Sequence, residues 1–163
     1  MKNLKTNAMR AMERAKLGYR PVYYDLGDKE FSGAAVSELT GIPESQSFKT
    51  LTAGASKRGT VVFVVPVNRE LDLKKAARAA GDKRVELLKL SELLPVTGYE
   101  RGGVSPVGMK KPFPVFIDEL ALEYAEIAIS GGKKGITVLV DPQGLANMLK
   151  AEFADLCSQA SAL

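Results

Sequence analysis

The 163-residue chain contains no histidine and no tryptophan, and its one cysteine is Cys157. Without histidine, neither a Ser-His-Asp nor a Cys-His nucleophile can be assembled, and His-ligated zinc is excluded. One thiol cannot close an internal disulfide or build a thiolate cluster, which suits a reducing compartment. Long apolar runs are also missing. The longest, Val61 to Val67, is interrupted by Pro66 and falls far short of the ~20 residues that span a bilayer. Met1-Lys2-Asn3-Leu4-Lys5-Thr6 puts no apolar stretch behind its charges, so no secretory signal is expected and a cytoplasmic location is. Neither a Walker loop nor a strand-anchored G-x-G-x-x-G is present, and no clustered acidic motif suggests a carboxylate metal site. No cofactor is implied.

What is there reads as one ordinary globular domain spanning residues 1–163, with 45% hydrophobic and 26% charged residues. The net charge of +4 is uneven: residues 1–80 hold 14 basic and 8 acidic side chains, the remainder 9 and 11. Basic pairs recur at Lys57-Arg58, Lys74-Lys75, Lys83-Arg84, Lys110-Lys111 and Lys133-Lys134. Such pairs attract a polyanion, and they equally solvate turns and helix faces. Charge permits a nucleic-acid partner without requiring one.

Caps and periodicity set out the elements. A helix is predicted from Thr6 or Asn7 to about Lys16, another over 33–40 stopped by Gly41, and a third over 73–80 between Asp72 and Gly81. Strands are predicted at 20–25, at 47–53 and 60–67 as a hairpin, at 83–87, at 115–118, and at 127–130 and 135–140 as a second hairpin. Short helices fit 91–94 and 119–124. Asp141 and Pro142 open a last helix, whose apolar positions Leu145, Met148, Leu149, Phe153 and Leu156 keep helical spacing to its end. Residues 97–114, rich in glycine and proline, preclude a long regular element. Irregular stretches of that length are usually functional. Hairpins separated by single helices predict an α+β fold: a mixed, largely antiparallel, partly closed sheet surrounded by helices.

Four features are candidates to carry chemistry. Strand alternation places Lys49 on the face of Leu51 and Ala53. A lysine there needs an anionic or acceptor partner, or it guards an edge strand. Gly102-Gly103-Val104-Ser105-Pro106 is either a tight structural loop or a set of backbone amides for an anion or oxyanion. Ser130-Gly131-Gly132-Lys133 reads as a hairpin turn. Tyr24 and Phe31 are candidates for stacking on a base, or for core packing.

In order along the chain, Thr6-Asn7-Ala8-Met9, Ser47-Phe48-Lys49-Thr50-Leu51, Leu71-Asp72-Leu73-Lys74-Lys75, Thr97-Gly98-Tyr99, Gly102-Gly103-Val104-Ser105-Pro106-Val107-Gly108, Lys110-Lys111-Pro112 and Ser130-Gly131-Gly132-Lys133-Lys134-Gly135 resemble the YbaK/EbsC family. The family comprises freestanding relatives of the editing insertion domain of bacterial prolyl-tRNA synthetase. The resemblance implies a deacylase acting at the 3′ acceptor end of aminoacyl-tRNA, with prolyl-tRNA synthetase as a second partner. The implied substrate is Cys-tRNA(Pro), or Cys-tRNA(Cys), and the implied chemistry is metal-independent, the substrate's own thiol attacking its carbonyl. It further implies that Lys49 is the essential residue, with Tyr24, Phe31, Thr50, Gly102, Gly103, Val104, Ser105, Pro106, Ser130 and Thr137 around the substrate. Thr137 stands where the cysteine-specific branch carries aspartate, and the Tyr24–Phe31 segment is shorter and lacks that branch's histidine. A deacylase of Ala-tRNA(Pro) and a noncatalytic module binding tRNA or a synthetase are the alternative readings.

Overall fold

In the computed structural model, which describes residues 4–158, four helices begin where a side-chain oxygen accepts a first-turn amide. Thr6 opens α1 (Asn7–Arg14), Ser32 opens α2 (Gly33–Thr40) and Asp72 opens α3 (Leu73–Ala80). The short α4 (Leu93–Thr97) lacks such a cap, and Asp141 opens α5 (Pro142–Leu149). Gly41 and Gly81 stop α2 and α3 in the left-handed region, at φ 77° and 67°. The charged start, Met1–Asn3, lies outside the described residues. None of the described helices is long and apolar enough to cross a membrane.

Among the described residues, eight strands form two sheets: β1 (Tyr19–Tyr23), β2 (Phe48–Ala55), β3 (Gly59–Pro66), β4 (Val85–Leu87), β5 (Val115–Asp118), β6 (Ile127–Lys133), β7 (Ile136–Val140) and β8 (Glu152–Ala154). The smaller has the order β1-β7-β6 and the larger β4-β2-β3-β5-β8. Both predicted hairpins are present, β2–β3 and β6–β7, the latter with an irregularity between Ser130 and Lys133 that carries β6 beyond its predicted end. Pairing is mixed: β5 lies parallel to both β3 and β8. The expected partial closure is not formed, since backbone pairing links the two sheets only at a single bridge between Ser47 and Ala128 among the described residues.

Alternation along β2 and β3 divides the core. Phe48, Val62 and Val64 face Ile129 and Val138 of the small sheet together with Met9, Met12 and Leu145. Ala53, Val61, Phe63 and Val65 face the opposite way, under Ala76, Ala77 and Ala80 of α3. Phe63 is fully buried and stacks on Phe116 with ring centroids 5.7 Å apart. Phe63→Ala is therefore expected to remove about 3–5 kcal/mol of stability, measured as a fall in the chemical denaturation midpoint.

The last helix departs from expectation. It ends at Leu149, Lys150 turns left-handed at φ 54°, and Glu152–Ala154 becomes the edge strand β8. Helical spacing of Phe153 and Leu156 reports burial, and burial is equally obtained beside β5, whose open edge supplies backbone partners. Buried Asp118 fixes this path by accepting the amides of Leu120 and Leu156, each at 2.9 Å.

Candidate functional site

The edge of β2 that faces away from β3 is only partly covered. β4 pairs with Ala53–Ala55, Leu88 donates its amide to the Thr52 carbonyl, and β6 touches the other end at Ser47. Between these ends, where the two sheets diverge, lies a cavity of about 400 Å³, within the range of small-molecule sites. Its wall is mostly apolar, from Phe48, Val36, Val67, Leu87, Leu88, Leu93 and Ile129.

The elements deliver the predicted residues unequally. Tyr24, Phe31, Lys49, Thr50, Gly102, Val104, Ser130 and Thr137 all line this cavity, although they come from five separate stretches of chain. Gly103, Ser105 and Pro106 do not line it. The Ser105 side chain is fully buried, its oxygen accepting the Val107 amide at 3.0 Å, and Pro106 is buried beside it. The Gly103 amide is already bound to the Glu100 carbonyl. A Cβ on Gly103 would lie 2.9 Å from the Lys133 Cα, so this glycine is needed where the loop presses on the turn after Ser130. The loop is thus a structural contact that carries Gly102 and Val104 to the cavity.

Lys49 is half-buried on the wall, and among the described residues its Nζ has neither an ion pair nor a hydrogen-bond partner. The five ion pairs of the described residues all lie elsewhere. Beside it, the buried Thr50 and Thr52 hydroxyls also lack partners. Thr137 is committed, donating to the Ile129 carbonyl at 2.8 Å. Ser130 accepts the Gly132 amide at 3.0 Å, which shapes the turn. Burial pushes the Tyr24 phenol up from its ordinary range, partly offset by a backbone amide at Gly135, so it stays a neutral donor at physiological pH. Phe31 is held from outside by Lys134, whose Nζ lies 5.9 Å from the ring centroid.

Sequence reasoning missed Arg101, Thr52 and the leucine wall of Leu87, Leu88 and Leu93. Arg101 directly precedes the glycine pair and could have been noticed. The leucines carry no signal, because only the pairing of β4 with β2 and the turn that follows bring them to the cavity. Cys157 is distant: it packs beneath α3, and burial together with Asp118 pushes its thiol up to about 12, which leaves it an unreactive thiol at neutral pH.

The described residues thus place a mostly apolar cavity, with Lys49 and Arg101 on its wall, in a mixed α+β scaffold. Residues 31–148 match the aminoacyl-tRNA editing domain. An Enterococcus faecalis protein provisionally named Cys-tRNA(Pro)/Cys-tRNA(Cys) deacylase EbsC is 42% identical over 95% of this chain and 94% of its own. The Proline--tRNA ligase of Thermodesulfovibrio yellowstonii is 33% identical over 61% of this chain, a stretch that is 16% of the ligase. A solved structure described provisionally as a trans-editing enzyme for prolyl tRNA synthetase superposes with a TM-score of 0.83 at 28% identity, covering 96% of this chain and all of that one. The chain belongs to the aminoacyl-tRNA editing domain family.

Proposed function

We propose that residues 1–163 form a single editing domain that acts in the cytoplasm. It is a deacylase that removes a mischarged amino acid, foremost cysteine from Cys-tRNA(Pro) or Cys-tRNA(Cys), from the 3′ end of tRNA. The observation that carries this reading is the unpaired, half-buried Lys49 on the wall of a cavity sized for one aminoacyl end. A half-buried cation without a partner is costly in the free protein and is satisfied by an incoming phosphate, ribose or carbonyl oxygen. Thr50, Ser130, Thr137, Gly102 and Val104 enclose the acyl group, while Tyr24 and Phe31 offer faces to the terminal adenine.

An aminoacyl ester is already activated, so positioning and charge stabilisation suffice for its cleavage. In the proposed step the cysteine sulfur attacks its own ester carbonyl. The new C–S bond forms as the C–O bond to ribose breaks, and the thiol proton ends on the departing ribose oxygen. The products are a thiolactone and free tRNA. The protein then needs neither a histidine nor a nucleophile of its own.

Two measurements test this chemistry. Methylating the substrate sulfur is expected to reduce single-turnover release by at least about 100-fold, the range associated with losing a positioned reacting group. Equal release from Cys-tRNA(Pro) and its S-methyl derivative would refute self-attack. Exhaustive EDTA treatment is expected to leave the rate unchanged, since the chain offers no His or thiolate ligand set. Loss restored by a divalent ion, with tRNA folding controlled, would show that a metal is required.

A further inference from the structure

Among the described residues, the charged side chains that line the cavity are all basic. Lys49 enters from β2 and Arg101 from the glycine loop, and Lys134 flanks Phe31 from the β6–β7 turn. Tyr24, the other titratable group on the wall, is kept neutral by burial. No carboxylate from any element lines the cavity among the described residues. Glu30, Glu86, Glu92 and Glu100 neighbour Phe31, Leu87, Leu93 and Arg101 in the chain but are exposed and off the wall. Buried Asp118 lies with the opposite core face and is committed to two backbone amides. The wall's uncommitted neutral groups, the Thr50 and Thr52 hydroxyls, can hydrogen-bond an amine but cannot neutralise an ammonium.

An ammonium in a mostly apolar pocket, beside like charges and without a counter-ion, is disfavoured on both counts that shift a proton equilibrium. We propose that the site takes the aminoacyl ester with its α-amino group uncharged, so that the form bound and cleaved is the free-base ester. This rests on the deacylase reading and deepens it. The amine then contributes little recognition, and its charge acts as a gate set by solution pH. Thr137 is the wall position where an acid would remove that gate.

The test compares kcat/KM for Cys-tRNA(Pro) and for the same tRNA carrying 2-hydroxy-3-mercaptopropanoate, whose hydroxyl replaces the amine, between pH 6 and 9. Uncatalysed hydrolysis is subtracted at each pH. Both esters meet the same Lys49, so its titration cancels in the ratio; the thiols titrate differently beside an ammonium and beside a hydroxyl, so each ester's thiol titration is measured in free solution and divided out. With α-amino groups titrating at about 7.7–8.0, and lower beside an ester, the amino-to-hydroxy ratio is expected to rise roughly 10- to 50-fold across this range. A flat ratio, or a preference for the aminoacyl ester at pH 6, would overturn the proposal while leaving deacylation itself intact. Failure to cleave either ester would sink the deacylase reading, and this one with it. Thr137→Asp, which puts a carboxylate on the wall, is expected to flatten the ratio, and persistence of the full rise in the folded variant counts against the proposal. If that variant does not fold, the wild-type ratio alone decides.

Discussion

Lys49→Ala is expected to lower single-turnover deacylation by at least about 100-fold, the scale of losing one positioned electrostatic contact to developing charge. The fold should survive. Lys49 makes no ion pair or hydrogen bond among the described residues, and the β2–β3 ladder on either side of it is held by backbone pairing with Val65 and its neighbours. Removing a half-buried unpaired cation should leave stability unchanged or slightly raised. Activity is therefore expected to fall without a loss of stability, which separates a functional lysine from an edge-strand guard. Circular dichroism and a denaturation midpoint verify folding before rates are compared. Near wild-type turnover in a folded Lys49→Ala protein would remove the residue from the mechanism.

Gly103→Ala is expected to have the second largest effect, although Gly103 does not touch the cavity. Its added Cβ would meet the Lys133 backbone from 2.9 Å, and backbone cannot rotate aside. Overpacking of this kind costs about 1–3 kcal/mol. Relief requires the loop to lift from the β6–β7 turn, which moves Gly102 and Val104 on one wall and loosens Ser130 on the other. A displacement near 1 Å is associated with roughly 100-fold loss of rate. The expected pattern is a modestly lowered denaturation midpoint with a disproportionate fall in kcat. The control is Gly54→Ala, a solvent-exposed β2 glycine whose added Cβ meets nothing within 4 Å, and it should cost little in either measure. If Gly103→Ala lost stability and activity in the same small proportion as the control, the loop would have no role in shaping the cavity.

Much of this architecture was legible because its local signals agree with one another. Asp72 and Gly81 bracket α3, Gly41 ends α2, and the Val-rich stretch of β3 is the buried strand that its composition predicts. The C-terminal region was misread because apolar period records which residues are buried, not the backbone that buries them; Lys150, with no glycine to announce it, takes the left-handed turn. At the site, Lys49 and Thr50 were legible as adjacent residues on one strand. The separation of Gly102 and Val104 from Ser105 and Pro106 was not, because it depends on the loop's contact with Lys133, a long-range event. The leucine wall was invisible for the same reason: Leu87, Leu88 and Leu93 look like ordinary apolar residues until the sheets diverge around them.

The central claim, that this protein hydrolytically or by self-cyclisation strips a wrong amino acid from tRNA, is tested most directly by a panel of charged tRNAs under single turnover. Purified protein is mixed with Cys-tRNA(Pro), Ala-tRNA(Pro), Cys-tRNA(Cys) and correctly charged Pro-tRNA(Pro), and the ester remaining is followed against buffer alone. The account predicts rapid loss of a cysteinyl ester, slower loss of the alanyl ester, and persistence of Pro-tRNA(Pro) at the buffer rate. Binding of these tRNAs with every ester surviving at the buffer rate would contradict it, and would make the cavity that of a noncatalytic module.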